Sequence, residues 1–250
     1  MSNKISESEK KALSKEVDDV VERFINEYSW IKNPIMDSYE TIEKLGFFII
    51  GKSIDNKISG FQVNIGDYKC IFVNRSHGKA RQNQSLWHEV YHWYTGETGY
   101  ISKVDNAKYD KMEFKAENFA SKILINRLLL KEKALQRNTD IRFLSRTDLI
   151  ELQNYFKASY MNIAVSLKEL FPNEFNDMLF NIGIYKNQSK LINLCKEKDL
   201  DYSLLEPSKT DYISPSFISD LQQNYTDNKI NDEYITNVLD FLEKELSLGE

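Results

Sequence analysis

Several residue types are scarce in this sequence of 250 residues, and each scarcity narrows what the chain can be. Two cysteines, Cys70 and Cys195, cannot build a disulfide framework, so the chain must rely on a conventional core and fits a reducing, cytoplasmic compartment. Nine glycines and four prolines are too few for a collagen-like, linker-like or turn-dense all-β architecture. The longest apolar runs, such as Leu45–Ile50, stop far short of a membrane span. The charged opening MSNKISESEKKALSKE lacks the apolar stretch of a secretory signal. No membrane partner is therefore expected. A formal net charge of −5 gives no global attraction to nucleic acid. The charge is also uneven. Residues 1–126 carry 18 basic and 18 acidic side chains, residues 127–170 carry eight and five, and residues 171–250 carry seven and 15. An acidic last third excludes a simple nucleic-acid-binding tail.

What is present is helical patterning around a small β region. Residues 7–28 repeat Val17, Val20, Val21, Phe24 and Ile25 at helical spacing among charges. Asn33-Pro34 breaks the chain, Ser38 is placed to cap a short helix to Leu45, and Gly46 ends it. Phe47–Gly51, Gly60–Ile65 and Tyr68–Asn74 read as strands, the last two joined by a Gly66-Asp67 turn, which predicts a small antiparallel sheet of about three strands. Helices are predicted over 79–95 and 110–125, and then over 128–136, 146–157, 159–170, 173–182, 188–198, 215–224 and 231–246, with 205–216 as a connector. The fold class is α+β with a mostly helical carboxy-terminal region.

Histidine is scarce too, which makes its placement informative. Two of the three histidines stand four residues apart in His88-Glu89-Val90-Tyr91-His92. On an α-helix, positions i and i+4 share a face one turn apart, so both imidazoles can reach one metal ion. Glu89 projects about 100° round from His88, where its carboxylate can hydrogen-bond a water at the metal instead of binding the metal. Leu86, Trp87, Val90 and Tyr94 fall on the opposite, core-facing side of that helix. Tyr91 points away from His88 and Glu89 and reads as a packing residue.

A catalytic zinc site needs a third protein ligand and an open position. His77 is the remaining histidine, and a carboxylate is the better fit. On the 110–125 helix, Lys111, Lys115, Asn118 and Lys122 form one stripe, read as its solvent face. Ala116, Phe119, Ala120, Ile123 and Leu124 form the opposite, apolar face. Glu113 and Glu117 lie one turn apart on the edge of that apolar face. A carboxylate so placed is costly unless it is paired or binds a cation. One of the two would coordinate the metal, and the other would accept a hydrogen bond from a ligand imidazole. The alternative is that both pair with nearby lysines at a rim. His77, Tyr94 and Tyr109 are candidate donors to a developing oxyanion.

HEVYH followed by Glu113-x-x-Ala116-x-x-Phe119-Ala120-x-x-Ile123-Leu124 resembles the ImmA/IrrE family of metallopeptidases. Asn33–Gly46 is similar to that family's helix leading into its first strand, and Ile71–Asn74 to the strand before its catalytic helix. The family often carries a proline after the paired aliphatic residues, where this chain has Ile125-Asn126. The resemblance implies a zincin-like core, one zinc ion per chain, His88, His92 and Glu113 as its ligands, and Glu89 as the catalytic base. Glu117 remains the supporting acid suggested by the helix pattern. The resemblance also implies a protein substrate, a helix-turn-helix repressor of a mobile element or stress response.

The expected organisation is a metallopeptidase domain over 1–126, a helix-turn-helix-like segment over 127–170 and an acidic helical module over 171–250. The middle segment carries a local charge of only +3, so direct nucleic-acid binding is not expected of it. The last module is expected to govern which protein is presented to the cleft, or when, and to add nothing to the chemistry. Two other classes fit the sequence. One is a zinc-binding module that sequesters a regulator without cutting it. The other is a metalloprotease toxin with a different substrate. An intact Glu89 favours chemistry over sequestration.

Overall fold

Helices start where side chains can satisfy the first free N–H groups of the backbone, and this chain supplies such caps repeatedly. The computed structural model describes residues 5–54, 57–65, 68–96, 101–103, 111–184 and 187–246. Helix α1 (Glu7–Glu27) opens with a reciprocal Ser6/Glu9 capping box and buries Leu13, Val17 and Phe24. Helix α2 (Ser38–Lys44) is capped one residue earlier than its sequence suggests. Asp37 Oδ1 accepts the Glu40 N–H at 3.0 Å. The buried Ser38 hydroxyl instead accepts a hydrogen bond from the Trp87 indole at 3.1 Å. Gly46 adopts the left-handed φ of +87° that ends the helix.

The sheet is larger than three strands and is mixed. Among the described residues its order is β4 (Ile101–Lys103), β2 (Ile58–Ile65), β3 (Tyr68–Asn74), β1 (Phe47–Lys52), β5 (Tyr212–Ile213). The β2–β3 pair is antiparallel as expected; the Gly66-Asp67 turn lies outside the described residues. β1, however, lies on the far side of β3 and runs parallel to it, with Ile49 opposite Ile71. The link from β1 to β2 therefore passes β3 before pairing begins. Asn74 anchors that link, accepting from Ile54 N–H at 3.2 Å and donating to Ile58 O at 2.7 Å. Apolar alternation defines a strand's faces but not its neighbours, which is why the pairing differs from the expectation.

Helix α3 (Lys79–Thr95) lies on this sheet, burying Leu86, Trp87 and Val90, and Gly96 ends it in the left-handed region. Helix α4 (Lys111–Leu124) packs its Ala116, Phe119, Ala120, Ile123 and Leu124 face into the same core. Its lysine stripe is not a solvent face. It lies against α1, with Lys111–Glu9 at 3.0 Å, Lys115–Glu16 at 2.5 Å and Lys122–Asp18 at 2.6 Å, and with the Ser14 hydroxyl donating to Asn118 at 3.3 Å. α1 carries the acids that complement the stripe, so an ion-paired interface has the same periodicity as a solvated one.

α4 ends at Leu124 without a proline after it, and Asn126 caps α5 (Arg127–Arg137), accepting the Leu129 N–H at 3.0 Å. Helices α6 (Arg146–Phe156) and α7 (Tyr160–Leu170) meet at Lys157, whose φ is +54°, and bury Leu149, Leu152, Phe156, Ile163 and Leu167. Their turn rests on α3. Asn83 donates to Lys157 O at 2.9 Å, and Asn162 donates to Gln84 Oε1 at 2.9 Å. The helix expected over 173–182 is shorter, a 3₁₀ turn at Asp177–Leu179 capped by Asn176 and running into α8 (Phe180–Gly183). Helix α9 (Gln188–Glu197) buries Leu191 and Cys195.

After α9 the chain returns to the sheet. Residues 204–214 form a strap across the start of α3. Leu204 O accepts the Ala80 N–H at 3.0 Å and Glu206 O accepts the Lys79 N–H at 3.2 Å, so backbone carbonyls fill a cap that Gly78 has no side chain to provide. Gly78 bridges to Pro207, and a Cβ on it would lie 2.7 Å from Leu205 O. β5 then pairs antiparallel with β1, and the fully buried Ser214 hydroxyl accepts the Ile49 N–H at 2.6 Å. The last two helices, α10 (Pro215–Thr226) and α11 (Asp232–Glu245), follow at once. No helix among the described residues is long and apolar enough to cross a membrane.

Candidate metal centre

His88 and His92 project from α3 toward α4, where Glu113 meets them. The two Nε2 atoms are 3.0 Å apart. Glu113 places Oε2 3.1 Å from His88 Nε2 and Oε1 3.5 Å from His92 Nε2. Three donor groups with no proton donor of fixed charge among them converge on one point. A tetrahedral zinc ion with bonds of 2.0–2.1 Å sets its ligand atoms roughly 3.3 Å apart, so the spacing and chemistry of this trio fit that ion. It is the His/His/acid cluster among the described residues able to hold a metal.

The surroundings fix the trio. His88, Glu89 and His92 are buried despite their polarity, with Glu89 wholly inaccessible. β2 passes Glu89 at Gly60, where a Cβ would sit 3.8 Å from the Glu89 Cγ and 2.8 Å from Phe72 O. A glycine inside a strand marks such a close approach. Gly60 thus carries a sequence signal of the site that lies outside the HExxH motif. Tyr91 is buried behind the site with its ring centroid 5.5 Å from that of Phe119 and 5.8 Å from that of His92.

Electrostatics separate the two imidazoles. Burial works against a charged His88, but the hydrogen bond to Glu113 and the carboxylates of Glu89, Glu113 and Glu117 outweigh it and raise its pKa. Burial and the adjacent His88 hold His92 down to about 4. Burial opposes the Glu113 carboxylate, yet the His88 hydrogen bond and both imidazoles keep its pKa below the usual value. Glu113 is thus ionised and His92 neutral near pH 7, the forms that ligate a metal.

The other sequence candidates are dispersed. Glu117 is exposed on the cleft wall one turn beyond Glu113, and its backbone carbonyl accepts a hydrogen bond from Gln84 at 2.9 Å. His77 is buried and lines the same cleft, but about 14 Å of helix separates Lys79 from His88. Tyr94 turns toward α1, donating to Glu27 at 3.0 Å with its ring against Phe24. Tyr109 lies outside the described residues. The cleft runs from His88 and Glu113 past Arg81 to the α7 and strap residues Asn162 and Leu204.

The strap has no motif of its own. It acts through backbone carbonyls at Leu204 and Glu206, and these carry no side-chain signature. Gln82 ties it to the loop before α3. Its buried amide donates to His77 O at 2.7 Å and to Ser208 Oγ at 3.2 Å, and accepts from the Tyr39 hydroxyl at 2.7 Å.

A family model described as the IrrE N-terminal-like domain, Peptidase M78, matches residues 42–168. That span runs from within α2 to within α7 and includes α3, α4 and the trio. No curated protein matches the chain in sequence.

Proposed function

The chain belongs to the IrrE N-terminal-like family of peptidases, and on that premise we propose that it is a zinc-dependent endopeptidase that cleaves a helix-turn-helix transcriptional repressor. A metallopeptidase-type function follows from the family itself. The zinc-dependent part of the finer reading rests on one observation above all, the meeting of His88, His92 and Glu113 within about one coordination sphere; the repressor substrate rests on the family resemblance.

In this reading His88, His92 and Glu113 hold one zinc ion. When bound, zinc lowers the pKa of a water to near 7 and polarises a scissile carbonyl. Glu89 does the proton work. It takes a proton from the attacking water at a carboxylate oxygen and passes it to the departing amine nitrogen. Its side chain is buried beside Gly60 of β2, on the same helix as the two ligand histidines. Glu117 contributes negative charge at the rim, which favours the protonated form of His88. Helices α6 and α7 serve packing, since the turn between them is spent on Asn83 and Gln84 of α3; direct nucleic-acid contact is not part of the proposal.

The test is cleavage of a helix-turn-helix repressor from the same genome by purified protein, with and without a chelator. Cleavage that a chelator abolishes, that added zinc restores, and that Glu89→Gln lacks is the expected result. Cleavage that survives both treatments would refute the zinc-protease reading.

A further inference from the structure

Helix α11 presents more apolar surface than its own packing uses. At 100° per residue, Phe241, Tyr234, Val238, Leu242, Ile235 and Leu239 span an arc of about 160°. α10 covers the middle of it, leaving Leu242 buried and Val238 and Ile235 half-buried. Both flanks stay open. Phe241 is 62% exposed, Tyr234 55% and Leu239 46%. α10 adds Tyr225 and Ile218, also exposed. The residues the hairpin does bury, Leu221 and Leu242, stand outside the main core cluster. The hairpin joins the sheet through the Ser214 anchor and a Phe217–Phe48 ring contact at 6.4 Å. Large apolar side chains grouped in this way mark interaction surfaces more often than single exposed ones do.

The charge around this ridge selects its occupant. Residues 215–246 carry seven acids and two lysines. One of the lysines, Lys229, is paired with Asp227 at 3.0 Å. Asp220, Glu233, Asp240 and Glu243 are exposed. A second copy of this chain would bring the same negative charge to the contact, which is unfavourable. A basic segment with an apolar face suits both the ridge and its acidic margin. A protein that binds DNA must carry a basic surface to hold phosphates, so the substrate class proposed above has the required chemistry.

We infer that the α10–α11 hairpin is the docking surface by which this protein captures a basic amphipathic helix of its protein substrate. The inference rests on the repressor-cleavage reading for the identity of the partner, but not for the chemistry of the surface. Docking here raises the local concentration of the scissile segment at the cleft and leaves the bond-breaking step unchanged.

The experiment uses the full chain in two assays. In the first, a fluorescent amphipathic helix of leucine and lysine, about five turns long, is titrated with the Glu89→Gln protein and followed by anisotropy. A leucine–glutamate helix serves as the control. The expected result is binding of the lysine helix alone, weakened about tenfold by Leu239→Glu/Phe241→Glu. That double variant adds two negative charges, so attraction by charge alone would strengthen binding, and a tighter or unchanged complex would overturn the inference. Because those substitutions could disturb the hairpin, Asp240→Lys/Glu243→Lys reverses two charges of the acidic margin without touching the ridge; it should weaken the same complex, and unchanged binding would count against a basic partner. In the second assay the same substitutions in the active protein should raise KM for the repressor about tenfold and leave kcat within about twofold. An unchanged KM would refute docking at this surface. If the unsubstituted protein does not cut the repressor at all, the functional reading fails and the peptide assay still decides the surface. A concentration-dependent dimer in sedimentation, abolished by Leu239→Glu/Phe241→Glu, would assign the ridge to self-association and overturn the inference.

Discussion

Helices α3 and α11 both carry broad apolar faces, but they use them differently. α3 buries Ala80, Leu86, Trp87, Val90 and Tyr91 and, beside them, Gln82, Ser85, His88, Glu89 and His92. Its polar groups are inside because each has something to do there. Gln82 ties together α2, the loop before α3 and the strap, and the imidazoles meet Glu113. α11 buries Leu242 and leaves Tyr234, Leu239 and Phe241 in solvent. A helix whose polar residues are anchored has one position in the fold, whereas a helix whose apolar residues are exposed retains the capacity to bind. The contrast is between a site built to hold atoms still and a surface built to receive a partner.

The sharpest way to probe that contrast is to alter each region and watch different readouts. The largest effect is expected in α3. Glu89→Gln should keep one zinc per chain by elemental analysis and lower the cleavage rate by about 10²–10⁴. His88→Ala and Glu113→Ala should each lose the metal itself. Stoichiometric zinc in Glu113→Ala, with loss in Glu117→Ala, would move the third ligand one turn along α4.

Next come the two possible truncations of the last third. A chain ending at Leu200 loses the strap, the α3 caps and β5. It should unfold at least about 3 kcal/mol more easily in a denaturant titration, since buried backbone groups lose their partners. A chain ending at Asp227 loses only α11. It should unfold close to the full chain's midpoint and retain zinc while cutting the repressor poorly. Equal stability of both truncations would show that the strap is no part of the catalytic framework.

Smaller effects are expected of single residues in the strap. Gly78→Ala places a Cβ 2.7 Å from Leu205 O, and should cost about 1–3 kcal/mol of stability as the strap shifts. Ser214→Ala leaves the buried Ile49 N–H without its 2.6 Å partner, with a similar cost of about 1–3 kcal/mol. Smallest is Glu117→Ala. An exposed acid whose charge bears on His88 should change zinc affinity by no more than the roughly tenfold at the low end of what loss of a supporting partner brings. A competition titration against a chelator measures it.

What was legible in the sequence was local. The HExxH spacing, the Glu113–Leu124 pattern and most helix ends follow from neighbours within one or two turns, and most helices begin and end within a residue or two of where the pattern puts them. The misreadings came from contacts distant in sequence. The Lys111, Lys115 and Lys122 stripe has solvent periodicity, yet the acids of α1 that pair with it lie about a hundred residues earlier. The parallel pairing of β1 with β3 depends on which strand lies next to which, and alternation does not encode that. Tyr94 sits on the expected helix, but Glu27 drew its hydroxyl to another element. The strap was invisible because carbonyl oxygens are common to every residue. Its side-chain traces, Gly78 and Ser214, have meaning only once their partners are known.

The hydrogen bond between Ile49 and Ser214 spans 165 positions of the chain, and this bears on how the protein is made. Synthesis proceeds from the amino terminus at about 5–20 residues per second. α3 and α4 therefore leave the ribosome well before the carbonyls of Leu204 and Glu206 that cap the first of them. During that interval the start of α3 has free N–H groups and the sheet has an open edge at β1. Contacts that close such long loops form late. A nascent or prematurely ended chain thus carries all of His88, Glu89, His92 and Glu113 without the framework that holds α3 in place. The start of α3 is therefore capped, and the β1 edge paired, only after the tail has been synthesised and has folded back onto the sheet.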